Sequence, residues 1–194
     1  MIVNLIGPIA SGKTTFAKWF VGKFNEWTHI AIDEVREHTA RMLKYHSSSS
    51  AIEDYVWHAA LPNLLEDTNK YFVLESTGVL WRLRELFENL DHDVYTVKLV
   101  ANTETCKKRA LTRPQETRSE PYNIDDTQGI ELEEFLHTRA PGNVTIKTDN
   151  IDKDQLMRAY EEAARYIRRA QICFDLCREE HIIGNNQLPE GDRT

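Results

Sequence analysis

The sequence predicts an α/β fold built on a largely parallel sheet, and two observations carry that expectation. Short apolar runs of strand length alternate with helical stretches from one end of the chain to the other. The first run ends at Gly7, and after a glycine-containing turn an amphipathic helical pattern begins.

Met1 to Ile6 is apolar enough to read as a buried strand. From Lys13 to Phe24, the residues Phe16, Trp19, Phe20 and Phe24 fall at helical spacing. Thr28 to Ile32 reads as a second strand with Asp33 at its C-terminal end. Glu34 to Tyr45 is helical, and the serine run Ser47–Ser50 breaks it as an exposed loop. Ala51 to Asn69 is helical again, with Pro62 as a kink or boundary. Tyr71 to Leu74 is a third strand, followed by Glu75-Ser76-Thr77-Gly78. Leu80 to Leu90 is helical and Val94 to Val100 is a fourth strand. Thr103 to Thr112 is a helix with Thr103 placed as its N-cap. Pro114 to Gly129 is polar, contains Pro121, and reads as a loop or mobile flap. Glu131 to Arg139 is a candidate short helix. Val144 to Thr148 is a fifth strand, and Asp152 to about His181 a long helix. Residues 1–183 are therefore expected to form one domain, with a lid over about 104–129. Gly184 to Thr194 is expected to be a polar tail, and no internal repeat is visible.

Composition narrows the classes. A chain of 194 residues can bury a core without disulfides or metal. Its 41% hydrophobic and 28% charged residues exclude global disorder. No apolar run reaches about 18 residues, so no membrane span is expected. The first residues lack a basic segment and a small-residue cleavage site, so no secretory leader is expected. Three cysteines, an odd number, do not make a disulfide framework, and a cytoplasmic location is expected. A net charge of −7 excludes bulk attraction to nucleic acid or anionic membranes, while leaving room for a local basic patch.

The strongest motif is Gly7-Pro8-Ile9-Ala10-Ser11-Gly12-Lys13-Thr14, a complete G-x-x-x-x-G-K-[ST] between a strand and a helix. Glycines let the backbone turn its N–H groups onto phosphate oxygens, and the helix N-terminus adds partial positive charge. Gly7, Ile9, Ala10, Ser11, Gly12, Lys13, Thr14 and Thr15 are thus the expected ATP-binding residues. Lys13 is expected to reach the β- and γ-phosphates, and the Thr14 hydroxyl to meet Mg²⁺.

Three further features favour transfer to an acceptor over hydrolysis. Asp33 stands where a carboxylate can take a proton from an acceptor hydroxyl. Arg36, one helical turn on, can hold an acceptor phosphate or the transferring group, although an exposed helix start is the plainer alternative. Arg109 and Arg113 share a helix face beside the polar flap, where they can neutralise developing charge and exclude water. A solvated basic helix end is the alternative there. Glu75 can hold a Mg²⁺-bound water or contact the acceptor, and Ser76 and Thr77 can do the same or cap the next helix. No N-K-x-D guanine motif is present.

The order of these features resembles the 5′-kinase domain of phage-type polynucleotide kinase, over roughly residues 1–170. The resemblance implies a five-stranded sheet of order 2-3-1-4-5. It also implies Asp33 as general base, Arg36 on the acceptor phosphate, and Arg113 on the transferring phosphoryl group with Arg109 in support. The chain has Glu75-Ser76-Thr77 where that family commonly has Asp-x-Asn, and Met42 to Asn69 shows no matching motif. The expected acceptor is a hydroxyl of nucleic acid, either a polynucleotide 5′-hydroxyl or a hydroxymethylated base in DNA. A free nucleoside monophosphate or small molecule is the alternative. An ATPase or nucleotide switch acting on a protein partner is the competing class.

Weaker signals remain. Cys173, Cys177 and His181 form a stripe on the last helix that reads as a packing or surface face rather than a metal site. Cys106 reads as packing. Tyr45, Tyr55, Trp57 and His58 suit either base stacking or the core. Trp81, Arg82 and Arg84 suit either an acceptor groove or a solvated helix. The long C-terminal helix is a candidate surface for a homo-oligomer.

Overall fold

The computed structural model describes residues 1–46, 49–76, 81–112 and 142–185, with 179–185 described by backbone alone. In order these form β1 (Ile2–Ile6), α1 (Lys13–Lys23), β2 (Trp27–Ala31), α2 (Ile32–Leu43) and α3 (Ser50–Tyr55). A π-helical turn (Val56–Ala60), α4 (Leu61–Leu64), β3 (Tyr71–Glu75), α5 (Trp81–Glu88) and β4 (Val94–Val100) follow. The chain continues through α6 (Thr103–Thr112), β5 (Val144–Lys147) and α7 (Lys153–Asn185).

The strands pair in parallel in the order β2-β3-β1-β4-β5. β1 is central and every residue of it is buried, which is why four of its five residues are apolar; the fifth, Asn4, accepts the Ser76 hydroxyl. Alternation assigns its side chains to two cores. Val3 and Leu5 join Val73, Val97 and Leu99 under Phe16 and Phe20 of α1 and Tyr160, Ala163 and Ile167 of α7. Ile2 joins Ile30, Phe72 and Leu74 under Ile52, Val56, Trp57 and Leu61, with Leu83 and Leu86 of α5. The result is a three-layer sandwich. Phe16 meets Tyr160 edge-on at 5.0 Å, which locks α1 to α7.

Several boundaries differ from expectation. β2 stops at Ala31, and Ile32 and Asp33 already belong to the first turn of α2. Ile32 is buried either way, so its apolar character cannot separate a strand end from a helix start. The N-cap of α6 is Asn102, not Thr103: Asn102 Oδ1 accepts the Thr105 N–H at 2.8 Å. Asp149 fixes that rotamer by accepting Asn102 Nδ2 at 2.8 Å. Ser49, the third residue of the serine run, caps α3 through Ile52 N, and Ser50 is already the first residue of that helix. The helix expected to reach Asn69 ends with α4. Asp67 Oδ1 takes the Asn69 N–H at 3.0 Å, and that local turn competes with further helix. Pro62 lies just after the π turn, where the Leu61 N–H reaches back to Val56 O. α7 opens with a reciprocal cap between Asp152 and Gln155 and runs on to Asn185, past the expected end near His181. The flap at 114–129 and the candidate helix at 131–139 lie outside the described residues.

Among the described residues no helix is long and apolar enough to cross a membrane. Nor do three His, Cys, Asp or Glu side chains converge there as a metal site. Cys173 and Cys177 are exposed, and Cys106 is buried.

Candidate active site

The register levels the strand ends on one edge of the sheet. Leu5 pairs with Glu75, and Glu75 pairs with Ala31. Gly7, Ser76 and Asp33 therefore leave the sheet side by side, at the carboxyl ends where α/β folds bind ligands.

Gly7 has φ 153° and Gly12 φ 102°. A Cβ at Gly7 would lie 2.2 Å from Leu99 O and 2.8 Å from Ser11 Oγ. Gly7→Ala is accordingly expected to destabilise the fold by at least about 1–3 kcal/mol and to weaken nucleotide binding. Urea denaturation and ADP titration check it. Ala10, at φ 60°, adds a second left-handed turn. The Ser11 N–H closes the loop on Pro8 O at 3.2 Å. Ser11 Oγ is buried and has no hydrogen-bond partner among the described residues. α1 then opens with Lys13 and Thr14 and has no acidic residue in its first turn. The helix's own first turn therefore sets no carboxylate against an anion there, and the nearest acid is Glu75 of β3, which accepts from the Thr14 hydroxyl.

Lys13 is buried, and its ammonium donates to Gly7 O at 2.7 Å and Pro8 O at 2.9 Å. The Thr14 hydroxyl donates to Glu75 Oε1 at 2.7 Å, and His29 Nε2 lies 3.1 Å from Glu75 Oε2. Burial pushes the Glu75 carboxyl up, but hydrogen bonds from His29 and Thr14 and the charge of Lys13 outweigh it. The group is held below the usual carboxylate range. Ser76 ties β3 to β1: its N–H donates to Leu5 O at 3.0 Å and its hydroxyl to Asn4 Oδ1 at 3.3 Å. Thr77 lies outside the described residues, as does Arg113.

Asp33 and Arg36 do meet, with Arg36 Nη1 2.6 Å from Asp33 Oδ1. The Asp33 carboxylate is 80% exposed. Arg36 is not an open anion site, because Nε and Nη2 also pair with the Glu53 carboxylate. Glu53 in turn accepts Trp57 Nε1 at 3.1 Å. Burial pushes the Arg36 guanidinium down, yet Glu53 and Asp33 outweigh it and hold its proton more tightly than usual. Neither Glu53 nor His29 was singled out as a site residue from the sequence. The Glu53–Trp57 spacing of four was the only local signal. Trp57 belongs to the core, whereas Tyr45 and Tyr55 are exposed. Arg82 donates to Asp54 Oδ1 at 2.9 Å and lies against the exposed Trp81 ring.

Burial likewise pushes Glu53 up, and Arg36, Trp57 and Arg82 outweigh it and lower its pKa. A carboxylate whose folded pKa lies below its unfolded value stabilises fully above the ordinary range, and that contribution is lost as pH falls through the lowered value. Glu53→Gln is therefore expected to cost about 1.5–3 kcal/mol near neutral pH. The difference from wild type shrinks in acid, as read by urea denaturation across the acid range.

Arg109 is spent on the loop. Its Nη1 donates to Thr148 Oγ1 at 3.1 Å and Ala10 O at 3.4 Å, and its Nη2 donates to Thr148 O. The Thr148 hydroxyl donates to Ser11 O at 2.7 Å, so α6 and the end of β5 brace the loop together.

No protein-family model matches the chain, and no curated protein matches it. Solved structures do. The shikimate kinase of Acinetobacter baumannii in complex with shikimate superposes with TM-score 0.57 at 15% identity, covering 90% of this chain and 94% of that one. A gluconokinase from Sinorhizobium meliloti gives 0.57 at 12% identity, covering 88% and 95%. The Pnkp1/Rnl/Hen1 RNA repair complex gives 0.55 at 19% identity, covering 71% of this chain and 43% of that one. The fold is that of the P-loop kinases.

Proposed function

We propose that this chain is an ATP-dependent kinase that works with Mg²⁺ and phosphorylates a hydroxyl presented at Asp33. The observation that carries the reading is the complete phosphate loop at the same sheet edge as an exposed carboxylate. The loop suits a polyphosphate: its glycines allow close approach, and the buried Ser11 hydroxyl is unpartnered among the described residues. The donor set suits Mg²⁺, since Thr14 spends its proton on Glu75 and keeps its oxygen lone pairs. Bound Mg²⁺ supplies charge neutralisation at the β- and γ-phosphates.

In the transfer, Asp33 takes the proton of the acceptor hydroxyl. The acceptor oxygen bonds to the γ-phosphorus while the bond to the β–γ bridging oxygen breaks, and ADP leaves with that electron pair. Lys13 faces the charge that develops on the phosphoryl oxygens. Arg109 holds the loop in shape, and Arg113, four residues on, is assigned to the transferring group.

The acceptor we favour is a small hydroxylated molecule. Helices α2 and α3 carry Asp33, Glu34, Glu37, Glu53 and Asp54 against Arg36 and Arg41. That excess of acid beside Asp33 disfavours a polyanion, and the exposed Asp33 carboxylate offers an acceptor to a hydroxyl donor. The likeness to shikimate kinase and gluconokinase supports this choice. A second reading, a polynucleotide 5′-hydroxyl, is favoured by the Asp33–Arg36 spacing and the likeness to the RNA repair complex. On that reading Arg36 exchanges Glu53 for an acceptor phosphate.

Transfer of label from γ-labelled ATP tests both. The panel holds polyols and hydroxy acids, 5′-hydroxyl DNA and RNA, DNA with hydroxymethylated bases, and nucleoside monophosphates. Label on small hydroxylated molecules is expected. Label on an oligonucleotide end selects the second reading. Release of free phosphate alone, stimulated by a protein, identifies an ATPase or switch instead.

A further inference from the structure

The transfer scheme uses Thr14 and Glu75 but leaves His29 without a task. This histidine sits in β2 with its side chain 12% exposed and Nε2 directed at Glu75 Oε2. The register explains how it gets there. His29 pairs with Val73 and Ala31 with Glu75, so residues 29, 31, 73 and 75 share the sheet face that α1 covers. Glu75 is then the diagonal neighbour of His29, within reach of a long side chain.

The consequence is that each Glu75 oxygen has a separate tether. Oε1 is held by Thr14 of α1 and Oε2 by His29 of β2. A glutamate held at one oxygen still turns about its terminal bonds. Held at both, it keeps Oε1 in line with the Thr14 proton, and the Thr14 lone pairs stay turned away from Glu75.

We propose that His29 is a positioning residue for the Mg²⁺–nucleotide site, acting through Glu75 to fix the Thr14 hydroxyl. The proposal rests on the reading of the loop as an ATP–Mg²⁺ site. An apolar residue would fill the same half-buried position without a ring nitrogen, so the hydrogen bond, not the volume, is what His29 contributes.

The experiment measures ADP affinity by calorimetry, with saturating Mg²⁺ and with EDTA, for wild type, His29→Leu and His29→Gln. Partners of metal-site groups typically change metal affinity by about 10–100-fold when removed. His29→Leu is therefore expected to weaken Mg²⁺–ADP binding by about tenfold and leave the EDTA value unchanged. His29→Gln, whose amide can still donate to Glu75, is expected to restore most of the Mg²⁺ effect. In Glu75→Gln, adding His29→Leu is expected to cause no further loss, because the path through Glu75 is already cut. Equal Mg²⁺ dependence in wild type and His29→Leu overturns the proposal. So does an equal defect in the Leu and Gln variants, or full additivity with Glu75→Gln. If His29→Leu does not fold, the Gln variant decides: a Mg²⁺ dependence near wild type supports the proposal, and a tenfold loss in a folded protein overturns it. Wild type that binds no ADP at all would instead defeat the underlying reading of the loop.

Discussion

Replacing Asp33 by asparagine is expected to lower kcat by about 10²–10⁴-fold while nucleotide affinity stays unchanged, the usual contribution of a positioned base. The side chain stands at the sheet edge beside the phosphate loop but hydrogen-bonds to none of the loop residues in the structure; its ion pair is with Arg36. Asparagine keeps the size of the group and cannot take up the acceptor proton. Arg36 retains its bonds to Glu53, so the local structure survives the change. Single-turnover kinetics with the acceptor found in the labelling panel, together with ADP titration, provide the check. A loss of less than about tenfold would remove Asp33 from the role of base.

Lys13→Met is expected to be comparably severe, through the donor rather than the acceptor. Methionine fills nearly the same volume, so the change chiefly removes charge. Loss of one preorganised donor at a developing charge costs about 10²–10³-fold in turnover. Nucleotide affinity is expected to fall as well, because the ammonium also binds the ground-state phosphates. Two loop carbonyls, Gly7 O and Pro8 O, lose their donor at the same time. Leaving buried acceptors unpaired costs about 1–3 kcal/mol, so a lower Tm should accompany the kinetic defect. Turnover within tenfold of wild type would place the stabilising cation elsewhere.

The elements that were legible in advance are those whose information is local. β4 is read at its observed limits because seven consecutive residues, Val94 to Val100, alternate or run apolar between polar turns. The α1 face is read from Phe16 and Phe20, which prove fully buried. The phosphate loop is legible for the same reason, since its conformation is imposed by glycines within eight residues of chain. The α6 cap is not legible locally, because Asn102 and Thr103 are both good caps and the choice is made by Asp149 from a remote segment. The role given to Arg36 was half legible. Its neighbour Asp33 is three residues away, whereas Glu53, which engages the rest of the guanidinium, is 17 away.

The sequence by itself determined the alternation of strands and helices, the phosphate loop and the residues able to serve it. These follow from hydrophobic period, glycine backbone freedom and short-range hydrogen bonding, which act between near neighbours. Only the tertiary structure decided which of those residues are paired with one another. Parallel strands bring together groups far apart in the chain, and side-by-side β2 and β3 join His29 to Glu75 across 46 residues. In the same way β5 delivers Thr148 to Arg109 and to the loop. Whether a given cation is open to a ligand or already neutralised depends on that register, and no spacing along the chain records it.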